Sequence, residues 1–153
     1  LVMGNGRPFF AKLLSPKKRN VRLAKKSNLN EIMIHDLRKI DHIPNGSIQF
    51  KSKTKMLVST KNNLSSNKLK KLKQLTDAPI EITDSNKQYK KRIYKLKYKK
   101  HSLQSFAVEM EADGGIPIKR LVNGFSVIPN ISSILNTDCS CEKFDVDQIY
   151  LSK

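Results

Sequence analysis

Cysteine and histidine, the side chains that most often bind metal ions, are few and widely spaced in this chain. Cys139 and Cys141 form a lone Cys-x-Cys pair. Two thiols do not complete a four-ligand zinc site, and His35, His42 and His101 show no matching spacing. We therefore expect two ordinary reduced cysteines in a cytoplasmic protein, with no metal site.

Positive charge is concentrated in the first two thirds of the chain. The net charge is +17, and residues 1–100 hold 26 Lys and Arg against 6 Asp and Glu, a balance of +20. Such a field attracts polyanions, because each neutralised phosphate releases condensed counterions. Nucleic acid is the natural partner, and a solvated lysine-rich surface is the alternative. No apolar run approaches the roughly 20 residues that span a bilayer. An anionic membrane is the competing partner, but the sequence has no amphipathic helix with the bulky apolar face that surface insertion needs, so no membrane partner is expected.

Three short motifs are the most informative part of the sequence. They read GNGRPF at residues 4–9, GGIPIKRLVNG at residues 114–124 and PNISSIL at residues 129–135. In this order they resemble the catalytic domain of the archaeal and eukaryotic T-loop tRNA pseudouridine synthases, the Pus-ten family. The resemblance covers almost the whole chain. It departs from the family after Gly124, where Phe125 replaces an acidic residue, and at Asn130, which replaces a serine.

The resemblance implies an isomerase that turns uridine into pseudouridine in the tRNA T loop, without metal or organic cofactor. In this family an aspartate attacks the substrate, a cation pairs with that aspartate and an aromatic ring stacks on the base. The target base must leave its stack, and an aromatic face restores about 1–3 kcal/mol per base. The family's aspartate belongs to a segment expected before Leu1, so residues 1–153 alone are expected to be inactive. Asp113, the carboxylate nearest to Lys119 in sequence, is interpreted as a turn residue.

By the same resemblance, Lys119 would pair with the catalytic aspartate and keep it charged. Ile118 would lie against the flipped base, and Leu135 would complete an apolar floor. Plain core packing is the alternative for both apolar residues, and a surface position beside Arg120 is the alternative for Lys119.

The stacking aromatic residue is predicted to be Tyr94, with Tyr89 and Tyr98 as alternatives. A tyrosine buried in the core is the other interpretation of Tyr94. Arg92, in the basic pair before this tyrosine, and Arg7, in the first motif, are the remaining predicted substrate-binding residues. Arg7 could hold a phosphate or cap the sheet.

Local patterns predict many strands and few helices. Strands or extended segments are predicted over residues 8–15, 21–23, 32–35, 48–58, 79–82, 89–100, 106–110 and 144–150, with a turn at 44–47. Helices are predicted over residues 68–75, 117–122 and 130–135, the first capped near Ser65 or Ser66. Its lysines are interpreted as a solvated face, with phosphate contact as the alternative. Within residues 89–100, alternation would place Arg92, Tyr94, Leu96 and Tyr98 on one face.

This element order predicts an α+β, pseudouridine-synthase-like fold with a mixed, mainly antiparallel sheet flanked by a few helices. Residues 1–153 are expected to form a single domain. The first functional hypothesis is a monomeric tRNA pseudouridine synthase. The alternatives are a non-catalytic basic RNA-binding domain of the same fold and an unrelated ribosome-associated basic protein.

Overall fold

A computed structural model describes residues 9–18, 26–29, 32–35, 37–43, 49–85 and 87–151. These residues divide into two compact units, one between residues 9 and 43 and one from residue 49 onward. The predictions for residues 21–23, for the turn at 44–47 and for Arg7 lie outside the described residues. That residues 1–153 form a single domain stays a prediction.

The smaller unit contains one strand pair, β1 (Lys26–Leu29) with β2 (Ile32–His35), which are antiparallel. The predicted strand over residues 32–35 is therefore confirmed. The predicted strand over residues 8–15 is wrong, since residues 9–15 form no strand. Leu13 and Leu14 are 78% and 82% exposed. Adjacent apolar residues point to opposite faces of a strand, so this segment has no single apolar face to bury.

The larger unit carries most of the secondary structure. Its strands and helices are, in chain order, β3 (Phe50–Thr60), α1 (Ser66–Lys70) continuing as a 3₁₀ helix (Lys71–Thr76), β4 (Ile80–Asp84), β5 (Lys87–Lys91), β6 (Ile93–Lys100), β7 (Ser105–Asp113), α2 (Ile118–Asn123), β8 (Val127–Ile128), α3 (Ile131–Leu135) and β9 (Cys139–Leu151). They form a four-stranded sheet in the order β6-β7-β3-β9 and a three-stranded sheet in the order β5-β4-β8. The strand pairings between described residues are all antiparallel. The predicted α+β class with mainly antiparallel sheets is confirmed.

The core lies against the inward face of the four-stranded sheet. Along β3 the residues Thr54, Met56 and Val58 are buried, and the residues between them are more exposed. β7 repeats this alternation, as a half-buried strand should. The helices α2 and α3 place their apolar residues in the same core cluster.

The first helix is short and tightens into a 3₁₀ helix. Ser65 caps it, because its hydroxyl oxygen accepts a hydrogen bond from the Lys68 backbone N–H at 3.3 Å. Leu69, Leu72 and Leu75 are all buried. Their three-residue spacing matches the three residues per turn of a 3₁₀ helix, which explains why the predicted helix changes type after Lys70.

The predicted single strand over residues 89–100 is wrong. The chain leaves the three-stranded sheet after β5 and enters the four-stranded sheet at β6, with a break at Arg92. Ile93 pairs with Ala112 and Lys95 pairs with Glu111, so Tyr94 is the extra residue of a bulge. The bulge changes the predicted faces at its own position, where Ile93 is fully buried and Tyr94 is 40% exposed. Beyond it, Leu96 and Tyr98 share the half-buried face as predicted. Tyr94 is therefore not a core tyrosine.

Candidate active site

Asp113 fixes the exposed tyrosine. The Tyr94 hydroxyl donates a hydrogen bond to Asp113 Oδ1 at 2.8 Å, and the Arg92 backbone N–H donates to Asp113 Oδ2 at 2.7 Å. The Asp113 N–H donates in turn to the Arg92 carbonyl oxygen at 2.9 Å. Both carboxylate oxygens are thus used to hold the start of β6 against the end of β7.

This contact shifts the titration of the tyrosine. The pKa of Tyr94 is raised above its usual 10.0, first by the hydrogen bond to Asp113, then by desolvation and by the negative charge of the same carboxylate. The positive charge of Arg92 offsets the rise only in part. The phenol therefore stays protonated at neutral pH and acts as a hydrogen-bond donor.

A lysine lies over the tyrosine ring. Lys51 Nζ is 4.1 Å from the centroid of the Tyr94 ring, within the range of a cation–π interaction. Lys51 pairs with Asp113 in the register of β3 with β7, which brings the lysine beside the same bulge. Lys51, Arg92, Tyr94 and Asp113 together make one cluster, which we call the tyrosine cluster.

Gly114 allows the strands to meet closely behind this cluster. Its N–H donates to the Phe50 carbonyl oxygen at 2.6 Å. A Cβ atom at position 114 would overlap the Phe50 ring, so a larger residue would require that ring to move. The absence of a side chain at the first glycine of the Gly-Gly motif thus lets the ring lie against the backbone.

The predicted helix after this motif is confirmed as α2, with Ile118 and Lys119 in its first turn. Pro117 occupies the N-cap position, and Gly124 ends the helix with a left-handed φ of 89°. Ile118 faces the core and is 8% exposed, while the side chain of Lys119 lies on the exposed side. This proximity to the core agrees with either predicted role of Ile118.

Arg120, the neighbour of Lys119, has a structural role. Its Nε donates to the Phe125 carbonyl oxygen at 3.0 Å, and Nη2 donates to the carbonyl oxygen of Thr83. Its Nη1 also lies 3.7 Å from Asp84 Oδ1. Arg120 therefore ties the loop after α2 to β4, and the two adjacent cations of the motif have different surroundings.

Lys119 has no carboxylate partner in the part of the chain that the structure describes. Burial is the main cause of the raised pKa of Cys141 in β9, and the positive charge of Lys119 offsets part of that rise. Lys119 therefore lies near β9. Burial is also the main cause of the raised pKa of the Cys139 thiol. Both thiols therefore stay protonated at neutral pH, in keeping with ordinary reduced cysteines.

The predicted helix over residues 130–135 is confirmed as α3, which presents Leu135. Asn130 forms a capping box with Ser133, and Ser132 donates from its hydroxyl to the Val122 carbonyl oxygen at 2.9 Å. That bond joins α3 to α2. Leu135 is 1% exposed and packs in the core with Ile118.

The structure thus brings some predicted residues together and keeps others apart. Tyr94 and Arg92 share the tyrosine cluster, while Ile118 and Leu135 share the core below α2. The described interactions include no hydrogen bond or ion pair between Lys119 and the tyrosine cluster. Sequence reasoning missed the roles of Lys51 and Asp113. For Asp113, the available sequence signal was an acidic residue directly before two glycines, shortly after the predicted strand over residues 106–110.

The described residues contain no group of three or more His, Cys, Asp or Glu side chains that could hold a metal ion. Nor do they include a helix long and apolar enough to span a membrane.

A protein-family model described as "Pus10, C-terminal" matches residues 1–150. The chain belongs to this family. A tRNA pseudouridine synthase Pus10 of Nitrosopumilus maritimus (strain SCM1) is 39% identical over 150 residues, which are 97% of this chain and 39% of that protein. The Pus10 enzyme of Cenarchaeum symbiosum (strain A) is 33% identical over 153 residues, or 100% of this chain and 38% of that protein. The predicted resemblance is confirmed.

The chain spans about two fifths of the length of these curated relatives. Among solved structures, it is similar to a chain of an H/ACA RNP bound to a substrate RNA containing 2′-deoxyuridine. The TM-score is 0.51 at 10% identity, covering 64% of this chain and 28% of that one. At this identity the likeness shows the fold alone, and it agrees with the Pus10 family assignment.

Replacing Asp113 with asparagine should lower the pKa of Tyr94. The substitution removes the negative charge that favours the protonated phenol. The raised pKa of Tyr94 stabilises the folded protein at pH values below the pKa that this tyrosine has in the unfolded chain. This stabilisation is lost at alkaline pH, as Tyr94 ionises in the folded protein. The ionisation of Tyr94 is followed by phenolate absorbance as the pH is raised. The same titration of the Tyr94→Phe variant is subtracted, which removes the signal of the other tyrosines. An unchanged Tyr94 pKa in Asp113→Asn would contradict the bond between the two side chains.

Proposed function

We propose that this chain forms the catalytic part of a tRNA pseudouridine synthase that isomerises uridine in the T loop. Membership of the Pus10 family supports the reaction. The observation that carries the proposal is the exposed Tyr94 ring, which a bulge turns out of the core and Asp113 holds by its hydroxyl. A fixed, exposed ring is what a flipped base needs for stacking.

The tyrosine cluster suits an anionic nucleotide. Lys51 covers the ring, and Arg92 is the exposed residue directly before the buried Ile93. A base would stack on the ring face away from Lys51, while both cations lie near its phosphates. Because the hydroxyl of Tyr94 is engaged by Asp113, the ring acts by stacking and orientation.

Lys119 is proposed to pair with the catalytic aspartate. It lies in the first turn of α2, is exposed and has no carboxylate within ion-pair distance among the described residues. A cation at this position keeps a partly buried carboxylate ionised and therefore nucleophilic. Ile118 and Leu135 would form the apolar floor below it.

The attacking aspartate is assigned to a segment outside residues 1–153. Asp113 is the carboxylate nearest to Lys119 in sequence, but both its oxygens already accept hydrogen bonds. If Asp113 attacked the substrate, these hydrogen bonds would be lost and the Tyr94 ring would no longer be held in place. Asp113 is therefore suited to a positioning role. A cytoplasmic location and a monomeric state stay predictions from sequence.

Lys119→Met in the natural full-length protein should abolish pseudouridine formation while leaving tRNA affinity and thermal stability nearly unchanged. The change removes the charge that would hold the aspartate ionised, and the side chain contributes nothing to the core. Lys87→Met, another exposed lysine without a described partner, is the matched control. Normal turnover in Lys119→Met at saturating tRNA would instead make Lys119 an ordinary surface lysine beside Arg120.

Tyr94→Leu should lower the rate by orders of magnitude, because the base loses its stacking surface. Tyr94→Phe should lose less activity than Tyr94→Leu, since it keeps the stacking ring, but it should not reach the normal rate because it loses the bond to Asp113 that holds the ring. Tyr89→Leu serves as the comparison, because Tyr89 lies half-buried in β5, in the other sheet. Single-turnover assays give these rates. A larger loss in Tyr89→Leu than in Tyr94→Leu would assign the stacking role to Tyr89.

Residues 1–153 produced alone should bind tRNA weakly and form no pseudouridine. No activity is expected because the attacking aspartate is proposed to lie outside residues 1–153. A cooperative thermal transition of this chain is the control that it is folded. Pseudouridine formed by the chain alone would mean that one of its own carboxylates attacks the substrate.

A further inference from the structure

Many lysines of the larger unit are neutralised by neighbouring carboxylates. On the four-stranded sheet, Lys53 Nζ lies 3.0 Å from Glu109, Lys55 Nζ 2.6 Å from Asp147, and Lys95 Nζ 3.1 Å from Glu111. These pairs cross between neighbouring strands. At these positions the outward face of the sheet has alternating charges and little net attraction for a polyanion.

The first helix is different. Lys68, Lys70, Lys71 and Lys73 are exposed, and none has an ion-pair partner among the described residues. Neither helical segment has an acidic residue in its first turn. We call these four side chains the lysine ridge.

The three-residue spacing arranges the ridge in two rows. Lys68 and Lys71 lie three residues apart, as do Lys70 and Lys73, while the leucines at the third position face the core. Lys68 and Lys70 lie in the α-helical part and Lys71 and Lys73 in the 3₁₀ part, so each row crosses the junction of the two segments. Burial of the leucines anchors the helix and holds both rows outward.

The ridge adjoins the strand that carries Tyr94. Lys100 Nζ, at the end of β6, donates to the Leu64 carbonyl oxygen at 2.5 Å, just before α1 begins. The 3₁₀ helix packs against β6. Exposed Lys97 and Lys99 on this edge strand also lack described ion-pair partners. Tyr94 lies about 20 Å along the strand from Lys100, which is the span of a few nucleotides.

We propose that the lysine ridge binds the sugar–phosphate backbone of the RNA substrate where the RNA passes the β6 edge of the four-stranded sheet. This inference rests on the proposed function, which supplies the RNA. Lysine binds phosphate as a point charge and needs no base-specific geometry, so the ridge contributes affinity and register without sequence preference. An anionic membrane fits less well, because the apolar row of the helix is buried and nothing is left to insert.

The test is tRNA binding across a salt series with the natural full-length protein. One variant changes the ridge: Lys68→Gln, Lys70→Gln, Lys71→Gln and Lys73→Gln. The matched control changes four exposed, ion-paired lysines: Lys55→Gln, Lys61→Gln, Lys90→Gln and Lys95→Gln. Both variants lose the same net charge, so they separate local contact from the general field.

The ridge variant should bind tRNA at least about tenfold more weakly, with the slope of log affinity against log salt reduced by roughly two to four. The control should bind nearly as the unmodified protein does. Equal weakening in both variants, or in neither, would overturn the proposal. So would loss of binding to vesicles of anionic lipid with unchanged tRNA affinity.

Two further measurements keep the result interpretable. If the fourfold variant fails to fold, the row variants Lys68→Gln with Lys71→Gln, and Lys70→Gln with Lys73→Gln, should each show part of the effect. Pseudouridine formation by the unmodified protein is measured separately. Its absence would defeat the proposed function, whereas normal isomerisation with unchanged binding in the ridge variants would defeat only the ridge.

Discussion

The carboxylate of Asp113 joins the two strand ends on which the candidate site depends. It accepts hydrogen bonds from the Arg92 backbone and from the Tyr94 hydroxyl, and so fixes the bulge that turns Tyr94 outward. The same residue immediately precedes Gly114, against which the Phe50 ring packs. The chain then enters α2 with Ile118 facing the core and Lys119 exposed. Tyr94 and Lys119 are therefore both positioned by the segment that runs from Asp113 into α2.

The ion pairs of the structure separate the positive charges that are neutralised by carboxylates from those that are available to a ligand. Cross-strand carboxylates neutralise lysines on the four-stranded sheet, and Arg120 is committed to holding a loop against β4. Lys119 and the lysine ridge are left without carboxylates among the described residues. Uncompensated cations on a well-packed scaffold attract phosphate more effectively than the same charges in ion pairs. The unpaired charge lies on α2 and beside β6, the elements that carry Lys119 and Tyr94.

Sequence patterns predicted the strands with one buried face and both motif helices, because burial of alternate residues leaves a clear period. They failed where tertiary contacts override the period. The bulge separates Tyr94 from the face that Leu96 and Tyr98 share, and Asp113, which holds the tyrosine there, is 19 residues away in sequence. The leucines at 69, 72 and 75 indicated a helix, but not that their spacing selects a 3₁₀ geometry. Lys119 and Tyr94 were found through the family motif, since neither has a local pattern that separates it from a surface residue.

In the proposed function, a uracil base stacks on Tyr94 while Lys119 pairs with a catalytic carboxylate. A structure of the natural full-length protein bound to a T-loop RNA would test both contacts at once. We expect the target base flipped out, with its plane against the Tyr94 ring, and Lys119 Nζ within ion-pair distance of an aspartate outside residues 1–153. A flipped base held away from Tyr94, or a Lys119 that faces only solvent in that complex, would contradict it.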